Sequence, residues 1–160
     1  MNFKTLVFTG LAAGALLLTG CADADSAESS LLVRDTVPIE VVLGSDPARF
    51  DFGTISMREG NVYQTYLLKN GSGELRTITN IVTSCMCTDA TIDGQTFGMH
   101  GGTATAITLA DGEKKELLVR FDSLAHGPDA TGPITRDIYI TTDHPSYPET
   151  RIQFTGNVIK

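Results

Sequence analysis

The chain has 160 residues, with 12 Lys and Arg against 19 Asp and Glu, a formal charge of -7 and no Trp. That balance excludes nucleic-acid binding, because the sequence offers no basic surface to neutralise phosphates. With 41% hydrophobic residues, the length suffices for one domain with a real core and not for two ordinary ones.

Residues 1–21 read MNFKTLVFTGLAAGALLLTGC, with Lys4 ahead of an apolar stretch at 6–18. That stretch falls short of the ~20 residues a spanning helix needs and has the length and flanks of a signal segment. It ends in Leu18-Thr19-Gly20-Cys21, which resembles a lipobox, the site where a bacterial transferase alkylates the Cys sulfur before a peptidase cuts in front of it. Small residues at 19 and 20 admit the backbone to a narrow cleft, and the thiol is the nucleophile. The expected organisation is a lipoprotein signal peptide at 1–20, acylation (palmitate among the chains) at Cys21, and a tether over 21–33. More than one acyl chain makes such an anchor stable. Residues 22–30, ADADSAESS, are small and acidic and cannot bury enough surface to order themselves. Location in the bacterial cell envelope follows, facing the periplasm, with Ala22 favouring the outer membrane.

From 34 to 160 the pattern changes to short β-rich runs. Strands are expected at 37–43, 51–56, 62–69, 75–84, 103–109, 114–121, 134–141 and 150–159, separated by Gly, Asp, Asn and Pro. Asn70-Gly71 and Asp111-Gly112 tolerate positive φ and suit tight connections. No long window carries a 3.6-residue apolar period. Seven to eight short strands at this spacing indicate an all-β, immunoglobulin-like β-sandwich. Leu117, Val119 and Phe121 share one strand face. Val62, Tyr66 and Leu68 share another. Ile134, Ile138 and Ile140 form a third row, but Arg136 has the same parity and breaks it.

With Cys21 committed to lipid, Cys85 and Cys87 are the remaining cysteines of three, too few for a disulfide scaffold. On an extended strand their thiols point the same way with Cα atoms about 7 Å apart, so a disulfide between Cys85 and Cys87 requires a turn or bulge at Met86. Three readings stay open: an inert structural pair, a metal site, and thiol-disulfide chemistry. A metal site would add Met86, Met99 and His100, with the loop at 88–102 folding back over the cysteines; that soft set suits copper(I) or, with different ligands, zinc. Thiol chemistry requires an accessible cysteine of lowered pKa, and the neighbouring sequence supplies no Lys or Arg to lower it. His126 and His144 fall in turn-like segments and read as exposed loop residues.

Several segments together resemble the bacterial domain of unknown function 1573. They are Asp51-Phe52-Gly53-Thr54-Ile55, Asn70-Gly71-Ser72-Gly73 with Leu75, Ile78 and Ile81 before Ser84-Cys85-Met86-Cys87-Thr88, Asp111-Gly112 before a strand ending Phe121-Asp122, Ile138-Tyr139-Ile140 leading to Thr141-Thr142-Asp143, and Phe154-Thr155-Gly156-Asn157-Val158. The resemblance covers about residue 50 to the C-terminus. Met86 stands where the family usually has Gly, and Asp111 where Pro often precedes Gly. The resemblance implies an immunoglobulin-like sandwich in an envelope protein and supplies no activity. No nucleophile elbow, zinc-protease motif, phosphate loop or dinucleotide fingerprint is present. The expected function is therefore a non-catalytic envelope module, held to the membrane by its lipid and presenting a surface to another envelope protein or glycan. Copper or zinc binding through Cys85 and Cys87 is the first alternative and thiol-disulfide exchange the second.

Overall fold

The computed structural model describes residues 37–160. The expected signal peptide at 1–20, lipidation at Cys21 and the tether at 21–33 concern residues outside that range.

Among the described residues ten strands form rather than seven to eight: β1 Ile39–Val42, β2 Ala48–Ser56, β3 Val62–Lys69, β4 Arg76–Thr83, β5 Thr88–Ile92, β6 Gln95–Phe97, β7 Thr103–Leu109, β8 Lys114–Phe121, β9 Gly132–Thr142 and β10 Glu149–Ile159. They build two five-stranded sheets in the orders β1-β3-β8-β5-β6 and β2-β10-β9-β4-β7. Two pairings are parallel, β1 with β3 and β2 with β10. The others are antiparallel. The additional strands are β5 and β6, which occupy the stretch expected to be a loop. Their connection is Asp93-Gly94, with φ of 47° and 74°, the left-handed pair that a two-residue hairpin turn needs. Ala90, Ile92 and Phe97 from this hairpin are buried in the core, so the segment is part of the sandwich and not a flap over the cysteines.

The period-2 alternation explains which faces meet. Val62, Gln64, Tyr66 and Leu68 of β3, and Leu117, Val119 and Phe121 of β8, point inward. From the other sheet come Ile78 and Ile81, Ile138 and Ile140, and Ile152 and Phe154. Each fully buried aliphatic or aromatic side chain contributes roughly 1.5–3 kcal/mol, so these rows hold the sheets face to face. Phe52, Phe154 and Phe121 form an edge-to-face run, with centroids 5.3 and 5.7 Å apart. Gly156 sits where the β2–β10 register shifts between Thr155 and Asn157. A Cβ there would lie 2.6 Å from Ile55 Cδ1, so the approach of β2 depends on the missing side chain.

One end of the sandwich is closed by Asn70, which is fully buried. Its amide nitrogen donates to Glu74 O at 2.6 Å and Leu109 O at 2.9 Å, and its side-chain oxygen accepts from Ser72 N at 3.0 Å. Its own backbone N–H donates to Glu113 O, and its carbonyl accepts from Gly112 N. One side chain and its peptide groups thus pin the Asn70-Gly71 and Asp111-Gly112 turns together. Asp143 acts similarly after β9: its carboxylate accepts from Thr77 N at 3.1 Å. That backbone hydrogen bond holds its pKa below the ordinary carboxylate range.

Candidate functional site

The opposite end carries two of the connections that cross between sheets, β4 to β5 and β8 to β9. Cys85 O accepts from Thr88 N at 3.1 Å, closing a tight turn over Cys85-Met86-Cys87-Thr88. The Thr83 hydroxyl lies 3.0 Å from Cys85 O and 2.9 Å from Thr88 O, so its single proton is shared by the two carbonyls at the base of the turn. Ser84 N donates to Asp137 O at 2.9 Å, and Asp137 N donates to Ser84 Oγ at the same distance. Asp122 N donates to Cys87 O at 2.8 Å. The cysteine turn is thereby tied to β9 on one side and to the end of β8 on the other.

The turn brings the cysteine Cα atoms to 5.2 Å, and their sulfurs are joined in a disulfide. Met86 at the apex is 65% exposed, while Cys85 is 9% and Cys87 1% exposed. Both cysteines therefore belong to the buried core, with Cys85 the nearer of the two to its edge.

Two side chains distant in sequence meet these sulfurs. His126, exposed on the β8–β9 connection, places Nε2 3.2 Å from Cys85 Sγ. Arg136 of β9 donates from Nε to Cys87 Sγ at 3.1 Å and from Nη1 to Thr135 O at 2.7 Å. Its guanidinium carbon lies 6.0 Å from the Phe121 ring centroid, within cation–π range. Arg136 faces Phe154 across the β9–β10 ladder. It shares the inward parity of Ile138 and Ile140, and the sulfur is what an inward-facing cation finds there. The absence of a basic residue near the cysteines in sequence is thus made good by one that β9 delivers from 49 positions away.

The ligand atoms of Cys85, Cys87 and His126 lie within 4.8 Å of one another, a grouping consistent with metal binding once the sulfurs are free. The histidine in this group is His126, 41 positions from Cys85, and His100 is not part of it. Met99 and His100 follow β6 in an exposed turn, closed by Gly101 N donating to Gly98 O at 3.0 Å. The Gly98 carbonyl at its start accepts from Thr83 N at 3.1 Å. His144 lies at the other end of the sandwich, after β9. Its Nδ1 accepts from Ser146 N and Tyr147 N at 3.2 and 3.0 Å, which fixes the turn before β10.

Among the described residues no helix is long and apolar enough to cross a membrane. Comparison with curated proteins finds no match. Among solved structures, the chain is similar to a protein of unknown function from Porphyromonas gingivalis W83, with a TM-score of 0.54 and 16% identity over 69% of this chain. It spans 44% of the length of that protein, and the likeness speaks to the fold. Weaker likenesses are to the CupB6 tip adhesin from Pseudomonas aeruginosa, with a TM-score of 0.39 and 7% identity over 74% of this chain and 43% of the other, and to the N-terminal domain of PorA, with a TM-score of 0.37 and 14% identity over 70% and 89%. The family model described as a protein of unknown function, DUF1573, matches residues 43–158, and the chain, an immunoglobulin-like two-sheet sandwich, belongs to that family.

Proposed function

We propose that this protein is a lipid-anchored envelope module that binds copper(I) through Cys85, Cys87 and His126 when its cysteine pair is reduced. The observation that carries the reading is the convergence of two sulfurs and one imidazole nitrogen within 4.8 Å at the rim of an otherwise apolar sandwich. Thiolates with one imidazole are a soft donor set that favours copper(I). Zinc in a structural site asks for four ligands, and the grouping supplies three. Charge points the same way. Two thiolates and a monovalent copper carry about one net negative charge, which the fixed cation of Arg136, 3.1 Å from Cys87 Sγ, neutralises. In the disulfide both sulfurs lack the thiolate that a metal requires, so loading follows reduction.

Support for an anchored module comes from the leader and the Leu18-Thr19-Gly20-Cys21 run together with a sandwich whose strands all lie within 39–159. In such a protein Cys21 holds the lipid, the residues up to 33 act as the tether, and the sandwich faces the periplasm. Contact of the sandwich surface with another envelope protein or a glycan is the wider role within which a metal site would operate.

The deciding experiment is native mass spectrometry of residues 22–160 after reduction and loading with copper(I) or zinc under anaerobic conditions. One copper ion retained, and lost in Cys85→Ser, Cys87→Ser and His126→Ala variants, is the expected result. Retention that ignores His126, or no retention after full reduction, overturns the reading. Labelling of growing cells with a radioactive fatty acid, with Cys21→Ser as control, tests the anchor.

A further inference from the structure

We propose that the Cys85–Cys87 bond is a thiol-exchange site with a fixed direction: a low-molecular-weight thiol attacks Cys85, and Cys87 departs as a thiolate into the hydrogen bond of Arg136. This uses the same two sulfurs as the copper reading but does not depend on a metal.

The direction follows from the asymmetry of the pair. Cys85 is the more accessible residue, at 9% against 1% exposure for Cys87, and its sulfur stands beside the exposed His126. Nucleophilic attack on a disulfide needs access to one sulfur and a stabilised leaving thiolate at the other. Cys87 is the less accessible of the two and the one paired with a guanidinium, whereas Cys85 Sγ accepts the neutral Cys87 N–H at 3.2 Å. Burial alone would disfavour its thiolate, but the Arg136 Nε–H lies 3.1 Å away. A charge-assisted hydrogen bond from a guanidinium opposes that desolvation directly. The limited opening at Cys85 and the imidazole beside it favour a small attacking thiol over a bulky one.

The chemistry balances in two steps. The external thiolate forms a bond to Cys85 Sγ while the Cys85–Cys87 bond breaks, and the electron pair goes to Cys87 Sγ, held by Arg136. A second external thiolate then attacks the external sulfur of the mixed disulfide. This releases Cys85 as a thiolate beside His126 Nε2, 3.2 Å away, and leaves the two external thiols joined as a disulfide. The external thiols lose two electrons and the cysteine pair gains them. The protons of the external thiols pass to solvent or to the new thiolates.

The test is to treat the oxidised protein with a small excess of glutathione in the presence of a chelator, quench with acid, and locate the adduct by tandem mass spectrometry. Glutathione on Cys85 is expected, and an adduct predominantly on Cys87 overturns the proposal. Opening in Arg136→Gln should be about 3- to 10-fold slower, with partial rescue in Arg136→Lys. Arg136→Met, which keeps an inward side chain of similar length, guards against a folding defect and should be slow as well. An unchanged rate in folded Arg136→Gln and Arg136→Met overturns the role of Arg136. Because the chelator is present throughout, a failure here is distinct from a failure of copper loading.

Discussion

The two ends of the sandwich differ in where some of their polar side chains are aimed. At one end Asn70 is fully buried and directs its side chain to backbone groups: Glu74 O, Leu109 O and Ser72 N. At the other, Arg136 and His126 direct theirs to sulfur. A polar group that satisfies the main chain is holding the fold. One that is aimed at a reactive atom, and that interrupts an apolar row to get there, points to chemistry.

The largest effect that would break this comparison is at Asn70. Asn70→Ala leaves two carbonyls and one N–H at the closed end without their partner, and should lower unfolding free energy by about 2–4 kcal/mol in urea titrations. Reactivity of the cysteine pair toward glutathione should be unchanged. If the pair becomes much more reactive in the folded variant, the two ends are not independent.

Reducing the disulfide should cost less. The bond closes a loop with a sequence separation of 2, and the entropy removed from the unfolded chain by so short a ring is worth about 1.5 kcal/mol. Thermal melts with and without a phosphine reductant check this. A loss comparable to that of Asn70→Ala would return the pair to a structural role. Smaller again, Arg136→Met should leave stability within about 1 kcal/mol of the parent, since it replaces an inward cation by an apolar chain of similar length. Chemical denaturation of the oxidised forms would measure it, and a loss of several kcal/mol would make Arg136 a pillar of the fold.

The smallest effect concerns Asp143, exposed at the Asn70 end. Its folded pKa is lowered, chiefly by the Thr77 backbone N–H. The unfolded chain therefore takes up its proton first as pH falls. The stabilisation is present above the ordinary carboxylate pKa and disappears as pH drops through the lowered folded value. Asp143→Asn should flatten the acid limb of the stability curve slightly, and an unchanged limb would show that the Thr77 contact is not held in solution.

Much of this architecture was legible because alternation and turn residues carry it. The runs at 62–69, 103–109 and 114–121 coincide with β3, β7 and β8, and Leu117, Val119 and Phe121 face inward as their spacing implies. The β5–β6 hairpin was hidden for a physical reason. Its second strand has 3 residues, too few to show a period, and the Asp93-Gly94 turn between the strands was the one available signal. The parallel pairings of β1 and β2 were also invisible, since parity does not say which neighbour a strand will choose. At the site, the cysteines could be found by their spacing, but their partners could not, because the β8–β9 connection delivers His126 and β9 delivers Arg136. Arg136 did leave a trace: it stands in phase with Ile134, Ile138 and Ile140, where an unpaired charge would be costly.

The order β2-β10-β9-β4-β7 places β10 between β2 and β9, as the one sheet partner of β2 among the described residues. An edge formed near residue 50 therefore waits for residues 149–159, and that sheet cannot close until the final segment arrives. Such long-range pairing makes folding slow. The position of β10 thus works as a clasp: β2 is joined to the rest of its sheet only once the strand over 149–159 has docked.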